Sequence, residues 1–68
     1  MTYDVYYYRG DDRLPDYDTN VSEYYVETLP QHLRRGETAY ARCHSNSALD
    51  YVVTPTGCWH PMSGIKKN

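Results

Sequence analysis

The side chains with the most reactive chemistry fall in two short clusters, Cys43-His44 and Cys58-Trp59-His60, with His32 standing apart. Two thiols and two imidazoles are enough to bind tetrahedral zinc, which takes sulfur and nitrogen donors. The spacing opposes it. Adjacent Cys and His side chains point apart in a strand, and neither cluster has the two-to-four-residue gap of zinc-binding pairs. No metal ligands are therefore expected. A Cys43–Cys58 disulfide would close a loop of 16 residues counting both ends, which loop entropy values at roughly 3 kcal/mol. The start of the chain, Met1-Thr2-Tyr3-Asp4-Val5, lacks the basic and apolar regions of a secretory leader. A reducing, cytoplasmic setting (the host cytoplasm for a viral chain) and two reduced, partly buried thiols are expected instead. His32, His44 and His60 are conceivable bases and the thiols conceivable nucleophiles, but no third group in the sequence orients them. Gly-rich phosphate loops and helical pairs of carboxylates are also lacking. A chain of 68 residues has little material with which to wall off a ligand pocket of several hundred Å3. The expectation is a non-enzyme without a cofactor.

What remains is chemistry of recognition. The chain has nine Tyr, one Trp and no Phe. Tyr is a good strand residue, but its hydroxyl needs a partner when buried, so it favours sites with one wet end and also protein-binding faces. Charge separates along the chain. Up to Thr28 seven acids oppose Arg9 and Arg13, a balance of −5; from Leu29 onward Glu37 and Asp50 oppose five cations, a balance of +3. The net charge of −2 hides this polarity.

These side chains need elements to carry them. Tyr3–Arg9 reads as a strand, with Tyr3, Val5 and Tyr7 inward and Asp4, Tyr6 and Tyr8 on the wet face. Gly10 to Asn20 reads as a polar loop holding Asp11, Asp12, Asp16, Tyr17 and Asp18. Ser22–Thr28 reads as a second strand, with Tyr24 and Val26 inward and Glu23, Tyr25 and Glu27 outward. Thr28-Leu29-Pro30 signals a helix start. The helix then runs on to Cys43, the preferred reading, or ends at Arg35 with Gly36 as cap and Thr38–His44 as a strand. A turn at Ser45-Asn46-Ser47 precedes a strand Leu49–Thr54, which Pro55 and Gly57 end. In the tail, Trp59 and Ile65 are available to cover a sheet edge or close the core, with fraying over Lys66-Lys67-Asn68. The predicted fold is a single α+β domain over residues 1–68, with a small antiparallel or mixed sheet of three to four strands and one helix packed on one face. Composition and length exclude a multi-domain enzyme, a doubly wound nucleotide-binding fold and a repeat array. The longest apolar run is Val5-Tyr6-Tyr7-Tyr8, too short to span a membrane.

The expected activity is binding to a larger host protein or protein–nucleic-acid complex. The contact set is Tyr6, Tyr8 and Tyr25 from the sheet with Asp11, Asp12, Asp16, Tyr17 and Asp18 from the loop. Such a surface would block a basic, nucleic-acid-handling groove, the Tyr rings burying area and the Asp groups pairing with Lys or Arg. In size and surface the chain resembles viral inhibitors of host defence, for instance anti-CRISPR proteins; the resemblance covers no motif and transfers no residue roles. The alternative is a small nucleic-acid-binding module using Arg34, Arg35 and Arg42 with aromatic stacking. Five dispersed cations in a chain of pI 5.8 make a weak phosphate footprint, so direct nucleic-acid binding is the lesser expectation.

Overall fold

The computed structural model describes residues 1–62 with their side chains and 65–67 as backbone. Strand β1 (Thr2–Arg9) keeps the expected alternation, with Tyr3 and Val5 fully buried and Tyr7 packed against the core. The chain then reverses through Gly10-Asp11, with Arg9 opposite Asp12. Gly10 has φ 59, at the position a two-residue type II′ hairpin reserves for glycine. The segment expected as a loop is thus strand β2 (Asp12–Ser22), paired antiparallel with β1. Two register shifts interrupt that pairing. The first lets Leu14, Pro15 and Asp16 lie between the partners of Tyr8 and Tyr6. The second, at Thr19-Asn20, places Asn20 at φ 55 with its N–H donating to Asp4 Oδ1 at 3.3 Å. Polar composition disguised an edge strand, whose outer backbone is solvated and whose bulges break the period-two pattern.

The expected second strand is helix α1 (Glu23–Thr28). Ser22 caps it, its hydroxyl accepting from the Tyr25 N–H at 3.2 Å, and Glu23 sits in the first turn where the helix dipole favours an acid. Val26 is buried as expected, but Tyr24, expected inward, is 77% exposed. A 3₁₀ turn, Leu29–His32, follows with Pro30 in its first positions. The long helix to Cys43 does not form. Gly36 takes φ 89, and Glu37–Cys43 is strand β3. Helix propensity at Ala39 and Ala41 yields to burial, for these small residues line the sheet beneath Val26 and Leu29 in one core cluster.

The strand expected over Leu49–Thr54 begins only at Tyr51, because Ser47–Leu49 forms a 3₁₀ turn capped by the Asn46 side chain; β4 (Tyr51–Thr54), β5 (Gly57–His60) and the short β6 (Ile65–Lys67) follow. Every pairing is antiparallel, in the order β2-β1-β3-β4-β5-β6. The sheet therefore exceeds the three to four strands expected, with five strands complete by His60 and a three-residue sixth. The helix is correspondingly small, six residues long. Lys66 and Lys67 belong to β6, so their expected fraying does not hold; Asn68 and the side chain of Ile65 lie outside the described residues.

One face of the sheet holds the core: Tyr3, Val5, Ala39, Ala41, Cys43, Tyr51, Val53 and Cys58, covered by Val26 and Leu29. Both thiols are free and buried. Their positions preclude a bridge. Cys58 pairs with Val53, which pairs with Ala39, and Cys43 lies four residues further along β3. Among the described residues no helix is long and apolar enough to cross a membrane.

Candidate functional site: an acidic cleft and an aromatic sheet face

Four of the nine Tyr hydroxyls donate to carboxylates. Tyr7 and Tyr25 both donate to Asp18 Oδ2, at 2.6 and 3.0 Å. Tyr40 donates to Asp50 Oδ2 at 2.8 Å and Tyr51 to Glu23 Oε2 at 2.5 Å. Tyr7, Tyr25 and Tyr51 on the helix side and Tyr40 on the opposite face are thus anchored on carboxylates, each with an apolar ring and a polar end. Burial, reinforced by Asp18, pushes the Tyr7 hydroxyl well above its usual pKa; burial and then Glu23 do the same for Tyr51. Asp50 is itself 5% exposed, and its other oxygen accepts from the Cys43 N–H at 2.6 Å. The His60 ring lies against Tyr51, 4.1 Å between centroids and tilted by 34°, and its Nδ1 is 3.0 Å from the Asp50 carbonyl oxygen. His44 bridges Thr2 Oγ1 and Asp4 Oδ1 at 2.8 and 2.7 Å. The Cys and His clusters are parts of this framework, and among the described residues no group of three or more potential ligands could hold a metal ion.

Contrary to the expectation drawn from chain length, a cleft of about 480 Å3 opens on the helix side, lined by Tyr7, Leu14, Leu29 and Leu33 with Tyr25, Asp16, His32 and Glu37. Glu37 is held in place by the Arg34 N–H at 2.8 Å and by Arg9 at 3.3 Å, and these contacts lower its pKa. Asp16 is exposed at the cleft, while Asp18 supports it from behind through Tyr7 and Tyr25. The opposite face of the sheet carries a row across the strands. Tyr17, Tyr6, Tyr40, Val52 and Trp59 are successive cross-strand partners from β2 to β5. Tyr17 stacks on Tyr6 at 6.1 Å and 22°, and the Arg13 guanidinium lies 4.6 Å from the Tyr6 ring centre.

The sheet divides the residues that the sequence suggested as one contact surface. Tyr6, Tyr8 and Tyr17 lie on the open face, whereas Asp16, Asp18 and Tyr25 belong to the helix side. Asp11 and Asp12 sit at the β1–β2 hairpin tip. Tyr6 and Tyr8 are half-buried rather than exposed, and Tyr17 and Arg13 cover the Tyr6 ring from the edge strand. Arg34 and Arg35 stand in the turn before β3, while Arg42 pairs with Asp4 on the open face, so the three form no continuous track. Sequence reasoning missed Leu14, Leu29 and Leu33 as cleft walls, and Tyr40, Val52 and Trp59 as members of the open row. The alternation Tyr51-Val52-Val53 was the available signal for Val52. Comparison with protein-family models, with curated proteins and with solved structures finds no match to this chain.

Proposed function

We propose that the chain is a cytoplasmic protein-binding inhibitor that acts without catalysis, by covering a basic, nucleic-acid-handling surface of a larger complex. Viral inhibitors of host defence such as anti-CRISPR proteins are the models for such a role. The observation that carries the reading is the helix-side cleft, where an apolar floor and the Tyr25 ring meet the exposed carboxylate of Asp16. Asp11 and Asp12 add negative charge at the adjoining hairpin tip. A Lys or Arg side chain suits this combination, because its aliphatic stem packs on Leu and Tyr while its head reaches carboxylate. The acids steer the encounter and the cleft supplies burial. Asp18 contributes by positioning Tyr7 and Tyr25.

The test is affinity purification from the native host with mass spectrometry, followed by charge reversal at Asp11, Asp12 and Asp16. The triple reversal is expected to weaken the recovered partner by about 100-fold or more, through loss of attraction and new repulsion. A partner that binds the reversed chain with unchanged affinity refutes the mechanism.

A further inference from the structure

The sequence offers its histidines no orienting group, but the fold supplies one to His44. Tyr3 and Cys43 are paired and point into the core, so Thr2, Asp4 and His44 stand together on the open face of the sheet. There Thr2 Oγ1 lies 2.8 Å from His44 Nδ1, and Asp4 Oδ1 lies 2.7 Å from His44 Nε2. We infer that Thr2 is an acyl-acceptor site, a hydroxyl activated by His44 that takes one acyl group from an uncharged acyl thioester. The site is separate from the helix-side cleft and does not rest on its reading. Its chemistry is stoichiometric, so it coexists with an inhibitor that acts without catalysis.

The hydrogen bonds fix where the protons sit. The His44 contact and the Asn20 N–H lower the pKa of Asp4, which therefore stands as an acceptor-only carboxylate. Nε2–H of His44 must donate to it, and in the neutral ring Nδ1 is left with a lone pair. The Thr2 hydroxyl donates to that lone pair, which is the arrangement of nucleophile, base and orienting acid. The backbone holds all three in place. The His44 N–H donates to the Thr2 carbonyl at 3.1 Å, tying the two residues together across β1 and β3. The second bulge of β2 puts Asn20 at φ 55, in the left-handed region that non-glycine residues rarely adopt, and aims its N–H at the same Asp4 oxygen. Asp4 is thus a positioning residue, held from one side by the bulge and holding His44 on the other.

The step balances with these groups alone. Thr2 Oγ attacks the thioester carbonyl, an Oγ–C bond forms, and the hydroxyl proton passes to His44 Nδ1. Collapse of the tetrahedral intermediate breaks the C–S bond, and the departing thiolate takes that proton. The products are an ester on Thr2, a free thiol and a neutral His44. Arg42, the cross-strand partner of Asp4, is exposed and adds positive charge to this face, which favours the oxyanion of the intermediate. Asp4 beside the hydroxyl disfavours an anionic phosphoryl donor, so a neutral carbonyl carbon is the better electrophile. Thr2 and His44 are both exposed, so the donor reaches them from solvent and the acceleration expected is that of general-base assistance alone, about 100-fold.

The test is incubation of the full chain with the acetyl thioester of N-acetylcysteamine at about pH 8, where free imidazole is neutral. Intact mass and peptide mapping then follow the label. One acetyl group mapped to Thr2, and removed by hydroxylamine as an ester is, supports the inference. Thr2→Ser should still take the label at that position, and Thr2→Val should not. His44→Ala is expected to slow acetylation of Thr2 by about 100-fold with far-UV circular dichroism retained. Asp4→Ala should slow it at least about tenfold, and should add nothing further in a chain already carrying His44→Ala. Should His44→Ala fail to fold, the mapped label and the two Thr2 variants still decide. Acetyl found only on amines, as hydroxylamine-resistant amides, overturns the inference. So does acetylation of Thr2 at an unchanged rate in folded His44→Ala.

Discussion

Replacing Asp50 by Ala tests the carboxylate framework directly. Its side chain is nearly inaccessible and accepts two hydrogen bonds, from the buried Cys43 N–H at 2.6 Å and from the Tyr40 hydroxyl at 2.8 Å. In the Ala variant the Cys43 N–H loses a charge-assisted partner where water is scarce, at a cost of about 2 kcal/mol. Tyr40 is half-exposed and recruits water in part, adding about 1 kcal/mol. The sum, about 3 kcal/mol, is large for a chain whose whole stability is about 3 to 10 kcal/mol by length. Urea unfolding followed by circular dichroism should show the midpoint falling with an unchanged slope. Tyr40→Phe alone should cost about 1 kcal/mol, and the double variant should cost about 1 kcal/mol less than the two singles together. A loss below about 1 kcal/mol for Asp50→Ala would refute the assignment of Asp50 as the hydrogen-bonding hub of β3 and β4.

Three further outcomes follow from other parts of the framework. The His44 contact and the Asn20 N–H lower the pKa of Asp4, and the Arg34 N–H and Arg9 lower that of Glu37. Folded-state values below the unfolded ones mean that this stabilisation is complete above about pH 4 to 5 and disappears as pH falls through the folded values; melting temperature should drop there, and less steeply in Asp4→Asn. Ser22→Ala should cost about 1 kcal/mol by removing the cap of α1, with Ser22→Asp close to neutral in the same denaturant assay. Gly10→Ala should cost about 1 kcal/mol although its Cβ would meet nothing within 4 Å, because φ 59 is the only obstacle; a D-Ala at that position, introduced by chemical synthesis, should not destabilise.

Period-two alternation made β1 and the Tyr51–Thr54 strand legible, including the burial of Tyr3 and Val5. The same pattern misled at Ser22–Thr28, where a six-residue helix buries only Val26 and Tyr24-Tyr25-Val26 imitates a strand. Strand β3 was ambiguous because its inward residues are Ala39, Ala41 and Cys43, too small to print an alternation and two of them good helix formers. Strand β2 was invisible because its pairing is made by backbone and its side chains are those of a turn. The acids of the candidate site were legible as charge, but not their division between two faces. That division depends on where the bulges of β2 fall, and the Tyr–carboxylate contacts join residues up to 28 positions apart.

The irregular path of β2 also bears on how this chain behaves at high concentration. Strands rich in Tyr and Val are prone to add further strands at a sheet edge. Here the outer edge runs through eleven residues, yet Pro15 offers no N–H, two bulges displace the repeat, and Asp12 and Asp16 crowd it with negative charge. An incoming strand cannot find a continuous ladder there. Growth of the sheet into a fibril is closed off along that edge.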